Sequence, residues 1–158
     1  MPAVTLNQLY WQDELGGAFP LSISAPIKPK TPAVPGIAGL AAAFSEQVLD
    51  GTVAAITNAV RDALPVSTLI LWGNVASAVV SAGTIVTTQR PALACTTGAL
   101  TAALFQQPPL SGTGTVGPPF RRHSCCLIYR IASRTPTAIC GDCPFTKEVT
   151  DDHETTGR

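Results

Sequence analysis

The stretch Ala63-Leu64-Pro65-Val66-Ser67-Thr68-Leu69-Ile70-Leu71-Trp72-Gly73-Asn74-Val75-Ala76-Ser77-Ala78, continuing to Gln89, decides the fold. It carries no formal charge over a length sufficient to span a bilayer. Laid on a helix, Val66, Leu69, Ile70, Gly73, Ala76, Val80 and Gly83 form one stripe. Ser67, Leu71, Asn74, Ala78, Ser81, Ile85 and Thr88, mostly small or polar, form another. The polar stripe predicts a helix buried inside a soluble bundle rather than one surrounded by lipid, so no membrane span is expected.

The flanking segments read the same way. Upstream, Leu40, Phe44, Val48, Gly51 and Ala55 follow a three-to-four spacing that continues through Ile56, Val60 and Leu64, predicting a long helix over Ile37–Leu64 that Gly51 kinks or divides in two. Pro65 suits the first turn of the next helix and Pro91 the start of a third, which runs to Gln106 and is stopped by Pro108-Pro109. The apolar residues are mostly Ala, Val, Leu and Ile, with only 6% aromatics, a profile that suits close-packed helices better than a β-sandwich. Nearer the N-terminus, Leu6–Leu15 reads as a short helix and Phe19–Ile27 as an extended segment. Ala25–Gly36, with Pro26, Pro29, Pro32 and Pro35, reads as a semi-rigid connector.

At 158 residues one domain is expected, a mainly α, small helical bundle with a short extended N-terminal segment and a C-terminal cysteine-rich loop region holding a metal cluster. Its parts are residues 1–36, the N-terminal segment and proline-rich connector; 37–107, the helical core; 108–145, the loop and cysteine region; and 146–158, a polar, flexible tail.

Four of the five cysteines lie in that third part, as the doublet Cys125-Cys126 and the turn Cys140-Gly141-Asp142-Cys143. Four thiols match the ligand count of a [2Fe–2S] cluster, a [4Fe–4S] cluster or structural zinc. A C-x-x-C turn presents two sulfurs to one metal, and Gly141 and Asp142 favour such a turn. Adjacent cysteines point in different directions, so a doublet serves one tetrahedral ion poorly; two sulfide-bridged irons offer a wider target. A thioredoxin-like redox pair would call for a βαβ context, and disulfides for a secreted chain. No basic n-region followed by an apolar h-region opens the sequence, so a reducing cytoplasm is expected, with association to a membrane left open. Cys95 stands alone in the third helix and reads as a packing residue.

Charge is balanced overall, ten basic against ten acidic residues, but not locally. From Ala63 to Gly141 there is no Asp or Glu, while Arg90, Arg121, Arg122, Arg130 and Arg134 are present. A positive field of this kind either compensates a thiolate cluster or steers an anionic partner. No nucleic-acid partner is expected.

The run Phe120-Arg121-Arg122-His123-Ser124-Cys125-Cys126-Leu127-Ile128-Tyr129-Arg130 with Cys140-Gly141-Asp142-Cys143-Pro144 resembles the C-terminal signature of the FhuF-type ferric-siderophore reductase family. Leu71-Trp72-Gly73-Asn74-Val75-Ala76-Ser77-Ala78 and Pro108-Pro109-Leu110-Ser111-Gly112-Thr113-Gly114 are similar to two further blocks of that family, in the same order. The gap between the cysteine pairs is longer here than is usual, and the chain is short for the family at its N-terminal side. The resemblance implies a mostly helical bacterial protein with a [2Fe–2S] cluster on Cys125, Cys126, Cys140 and Cys143. Its activity would be one-electron reduction of a ferric siderophore, releasing Fe(II) in the cytoplasm, with an electron donor that the sequence does not name.

That chemistry is consistent with the absence of a hydrolytic triad or phosphate loop. Hard anionic oxygens hold Fe(III) far more tightly than Fe(II), so one electron suffices for release. Arg121, Arg122 and His123 are the candidate substrate-binding residues. The two arginines would steer an anionic ferric complex or balance the cluster's charge. His123 would tune the cluster, hold a siderophore oxygen, or simply be solvated. Trp72 reads as core, and Asn74 as a hydrogen-bonding residue near the cysteines. Two alternatives stand beside the reductase: a non-catalytic iron–sulfur carrier or iron sensor, and a zinc-stabilised interaction domain.

Overall fold

The computed structural model describes residues 5–12, 20–24, 32–127 and 140–145, and the fold is mainly helical. Among these residues three helical rods form the body. The first runs from Gly36 to Ala63. It comprises α1 (Gly36–Phe44), a stretch of wide i→i+5 turns over Ser45–Val53, and α2 (Ala54–Ala63). Gly51 thus sits in a widened segment instead of at a sharp kink. Leu64 ends the rod in an extended conformation, as a residue before proline should.

The second rod, α3 (Thr68–Gln89), starts later than Pro65. Ser67 is the reason: its hydroxyl accepts the Leu69 amide at 3.3 Å, a cap that Pro65 cannot provide. The third begins with a tight turn, Pro91–Leu93, and continues as α4 (Ala94–Phe105). α1 and α3 both pack on α4, and α2 touches α3. Ala41, Leu49, Ala76, Leu104 and Phe105 form the buried centre with Leu110 and Phe120, and Trp72 packs against it from the side. Phe105 and Phe120 meet edge to face at 5.5 Å between ring centroids, joining the bundle to the cysteine region.

Three expectations change. The described part of the helix expected over Leu6–Leu15, residues 6–12, is not one helix. Only Leu6–Gln8 turn helically, capped by Thr5, and the chain then becomes β1 (Leu9–Trp11), antiparallel to β2 (Leu21–Ile23). Tyr10 and Trp11 favour a pleated surface, and cross-strand pairing outweighs the weak helical spacing. The extended segment expected around Phe19–Ile27 is there as β2. Second, α3 is far less enclosed than a central bundle helix, with 11% of its apolar window buried. Gly73 and Ala76 of the apolar stripe are buried, whereas Asn74, Ala78, Ser81, Ile85 and Thr88 of the polar stripe are exposed. The two stripes were therefore legible, but two neighbouring helices cover only one of them. By length and composition alone, α3 could also cross a membrane. Third, Cys95 is exposed, because the first turn of α4 faces outward. Residues 25–31 of the connector expected over Ala25–Gly36, residues 128–139 between the cysteine pairs, and the expected tail over 146–158 lie outside the described residues.

After α4, Leu110 is fully buried and anchors a loop whose Thr113 hydroxyl donates to the Leu110 carbonyl at 2.6 Å. The loop is not wholly irregular. β3 (Gly114–Thr115) pairs with β4 (Arg121–Arg122), Gly114 opposite Arg122 and Thr115 opposite Arg121. Gly114 is required there, since a Cβ would stand 2.6 Å from the Phe120 ring and 2.7 Å from the Arg121 carbonyl oxygen.

Candidate metal centre

Segments far apart in sequence meet at Arg122–Ser124. The first is the face of α3 carrying Gly73, Asn74 and Ser77, which lie within one turn of each other and so share a side of the helix. Gly73 lets the chain approach: a Cβ there would collide with the Ser124 hydroxyl. Ser124 is buried and donates to the Leu69 carbonyl at 3.0 Å, which pins the residue before Cys125 to the helix. Asn74 Oδ1 accepts from Arg122 Nη1, matching the loop-bonding role expected of it. Ser77 hydrogen-bonds Asp142.

The second segment is the Pro108–Gly114 loop. His123 donates its amide to the Thr113 carbonyl at 2.9 Å, and its ring bridges the Gly112 carbonyl (2.9 Å from Nδ1) and the Thr115 hydroxyl (3.0 Å from Nε2). The third is the C-x-x-C turn. The Cys143 amide donates to the Cys140 carbonyl at 3.0 Å, closing the turn. The Arg122 amide holds the Asp142 carbonyl at 2.9 Å, and Arg121 Nη1 holds the Gly141 carbonyl at 2.7 Å.

The four cysteines come together in two pairs. Cys126 Sγ lies 3.4 Å from Cys140 Sγ, and the Cys125 thiol hydrogen-bonds that of Cys143. Cys143 is buried and the other three are half-buried. Leu127 adopts φ 65°, a left-handed conformation uncommon outside glycine and asparagine, and its amide turns back onto Cys125 Sγ at 3.4 Å. Among the described residues no three His, Cys, Asp or Glu side chains surround a point that a single metal ion would fill.

Arg122 is the central polar residue, with its side chain 3% exposed. Its guanidinium donates to Cys140 Sγ at 2.7 Å, to Asn74 and to Cys126, and Nε lies 3.1 Å from Asp142 Oδ2. Burial pushes the Cys140 thiol up to about 12; hydrogen bonds with Cys126 and Asp142 act in the same direction and the Arg122 charge acts against it. Burial also raises Cys125, opposed by the Leu127 amide and reinforced by Cys143 and Cys126. Burial alone would raise Asp142 as well, but hydrogen bonds from Ser77 and Cys140 and the charge of Arg122 outweigh it and hold the carboxyl below its ordinary value. Without a metal, Cys125 and Cys140 are neutral thiols, so loading a metal must expel protons.

The residues singled out from sequence are thus gathered, with different orientations. Arg122 faces inward against the sulfurs, Arg121 braces the C-x-x-C turn while half-exposed, and His123 is exposed with both ring nitrogens engaged. Gly73, Ser77 and Ser124 had no assigned role in building the site, and Asp142 only that of a turn former. Their shared helical face and their adjacency to the cysteines were the available signals. A shallow cleft of about 320 Å³ lined by Ser77, Val80, Ser81, Pro119, Phe120, Gly141 and Asp142 opens beside the turn. No known family, curated protein or solved structure matches the chain.

Proposed function

We propose that this protein holds a [2Fe–2S] cluster on Cys125, Cys126, Cys140 and Cys143 and passes one electron to the iron of a ferric siderophore. The observation that carries the reading is the meeting of four cysteine side chains as two pairs, with N–H donors aimed at their sulfurs. Two thiolates on one tetrahedral metal with bonds of ~2.3 Å stand about 3.8 Å apart, close to the Cys126–Cys140 separation. A pair of irons takes two such pairs, whereas a single zinc ion asks all four sulfurs to face one point. The donor set therefore fits the cluster better than mononuclear zinc. When bound, the cluster would supply reversible one-electron chemistry.

The protein's own groups do the rest. Arg122 offsets the charge of the thiolates from within, and the Leu127 amide donates to Cys125. Arg121 and the cleft beside Gly141 form the outer side of the turn, where an anionic ferric chelate would approach. Among the described residues, a Cβ added at Gly141 meets nothing within 4 Å. Reduction weakens the hold of hard oxygen ligands on the iron and frees Fe(II) with the intact siderophore. The resemblance of the cysteine signature and of the 71–78 and 108–114 blocks to FhuF-type reductases supports the same substrate class.

The test is anaerobic mixing of the dithionite-reduced protein, freed of excess reductant, with a ferric siderophore in the presence of an Fe(II) trap. Reoxidation of the protein with one trapped Fe(II) per electron is expected. A reduced protein that stays reduced with every ferric chelate, yet is reoxidised by a protein acceptor, would instead make it an electron carrier.

A further inference from the structure

Between Ala63 and Phe120 the chain carries a single charged side chain, Arg90. Soluble domains ordinarily have about a quarter of their residues charged. The deficit lies on a surface. From Ser81 to Thr96 only Gly83 and Thr87 are half-buried, and Ile85 (57%), Val86 (39%) and Leu93 (40%) stand exposed. Ala82, Ile85, Val86 and Gln89 share one side of α3 by their three-to-four spacing. The tight turn Pro91–Leu93 packs back on α3, which brings Leu93 to the same end. Polar groups of this end are already partnered. The Thr84 hydroxyl donates to the Val80 carbonyl at 3.1 Å, and those of Thr87 and Thr88 both donate to the Thr84 carbonyl at 2.9 Å. A hydroxyl bonded to its own helix leaves water at less cost than an unpaired one.

We propose that the C-terminal end of α3 and the Pro91–Leu93 turn form a membrane-docking surface, which seats Ile85, Val86 and Leu93 in the acyl boundary of an anionic bilayer and Arg90 on its headgroup phosphates. Charge decides the occupant. A second copy docked face to face about a twofold axis would set Arg90 against Arg90, with no carboxylate anywhere from Ala63 to Phe120 to separate them. Lipid phosphates complement the one arginine, and hydrocarbon complements the uncharged face around it. The docking is peripheral. Ser77, about two helical turns before Ile85, hydrogen-bonds Asp142, and Asn74 accepts from Arg122. That polar network lies ~12 Å along the helix from Ile85 and stays in water while the far end meets lipid. α3 therefore rests on the membrane and does not cross it. The inference is independent of what the cysteines bind.

The test is co-sedimentation of the full chain with vesicles of phosphatidylcholine alone and of phosphatidylcholine mixed with phosphatidylglycerol. Each methylene moved from water into hydrocarbon is worth about fourfold in partitioning. An arginine near an anionic surface adds about fivefold. The wild type is expected to bind the mixed vesicles more tightly than the neutral ones. Ile85→Ser combined with Leu93→Ser should weaken binding to both by about tenfold or more. Arg90→Gln should remove the preference for the mixed vesicles and leave neutral binding unchanged. All three positions are exposed, so the fold should persist, as thermal unfolding of each variant checks. Ile56→Ser, at an exposed apolar position on α2, is the control and should bind as the wild type does. A wild type that stays in the supernatant with both vesicles would overturn the proposal. So would a double variant that binds like the wild type, or an Ile56→Ser variant that loses as much as the double variant. A wild-type dimer in lipid-free sedimentation, split by the double variant, would give this face to a second copy and overturn it too.

Discussion

Gly73→Ala is the sharpest perturbation of the scaffold, because ordinary helix energetics and the local packing predict opposite signs. In a helix interior alanine is better than glycine by about 0.8–1.0 kcal/mol. Here the added methyl would collide with the Ser124 hydroxyl, which is buried and bonded to the Leu69 carbonyl. If Ser124 merely rotates, a buried hydroxyl loses its partner, at about 1–3 kcal/mol. If the chain before Cys125 shifts instead, overpacking costs about 1–3 kcal/mol with the hydrogen bond lost as well. Subtracting the helix gain leaves a net loss of up to about 2 kcal/mol in the first case and about 1–5 kcal/mol in the second, at about 2–4 °C of Tm per kcal/mol for a domain of this size. The assay is a double-mutant cycle by urea and thermal unfolding of the metal-free protein, with iron content after reconstitution as a second readout. In a Ser124→Ala background the clash is gone, so Gly73→Ala should become neutral or stabilising by about 1 kcal/mol. Gly73→Ala stabilising in the wild-type background, or the same effect in both backgrounds, would refute the close approach of α3 to the cysteine segment.

Three further outcomes follow from the same geometry. Asp142 has a folded pKa below its unfolded value, so its contribution to stability is complete above about pH 3.8 and is lost as pH falls through the lower folded value. Asp142→Asn should therefore flatten the acid limb of a urea-midpoint series while costing about 3 kcal/mol near neutrality, because the buried Arg122 charge loses its partner; parallel acid limbs would contradict the pairing. The Cys140 thiol runs the other way. Its folded pKa of about 12 exceeds the ordinary 9.0, so metal-free protein should keep that contribution below pH 9 and lose it as pH rises toward 12. Cys140→Ala should abolish that alkaline loss in a thermal series. Finally, Gly141→Trp should leave iron content and visible absorption intact but slow reoxidation by bulky ferric chelates more than by small ones, in stopped-flow traces; equal rates would remove the cleft beside the turn from the approach path.

Much of this was legible in the sequence, for identifiable reasons. The helices at Ile37, Pro91 and around Trp72 announced themselves by apolar spacing and by proline, and the four thiols by their number and grouping. What failed was local. Ser67 out-competed Pro65 as the start of α3 through one side-chain hydrogen bond, and Tyr10 and Trp11 went to a strand because a distant partner, Leu21–Ile23, was available. That Arg122 would lie against the sulfurs was one of two readings of its charge, but its burial was not readable. A basic residue before a thiol doublet suggests an exposed, anion-attracting charge. Its burial depends on Asn74 and Asp142, 48 residues before and 20 after it, arriving at the same place. Likewise the crosswise pairing of the thiols follows from how the C-x-x-C turn docks beneath β4, which no spacing rule encodes.

The central claim is that four thiols in two pairs hold two irons. Anaerobic purification with iron, sulfide and zinc quantified per chain, alongside a visible spectrum before and after dithionite, tests it most directly. Two irons and two sulfides per chain, with thiolate-to-iron absorption that bleaches on reduction, is the predicted result. One colourless zinc per chain, with no sulfide, would contradict it.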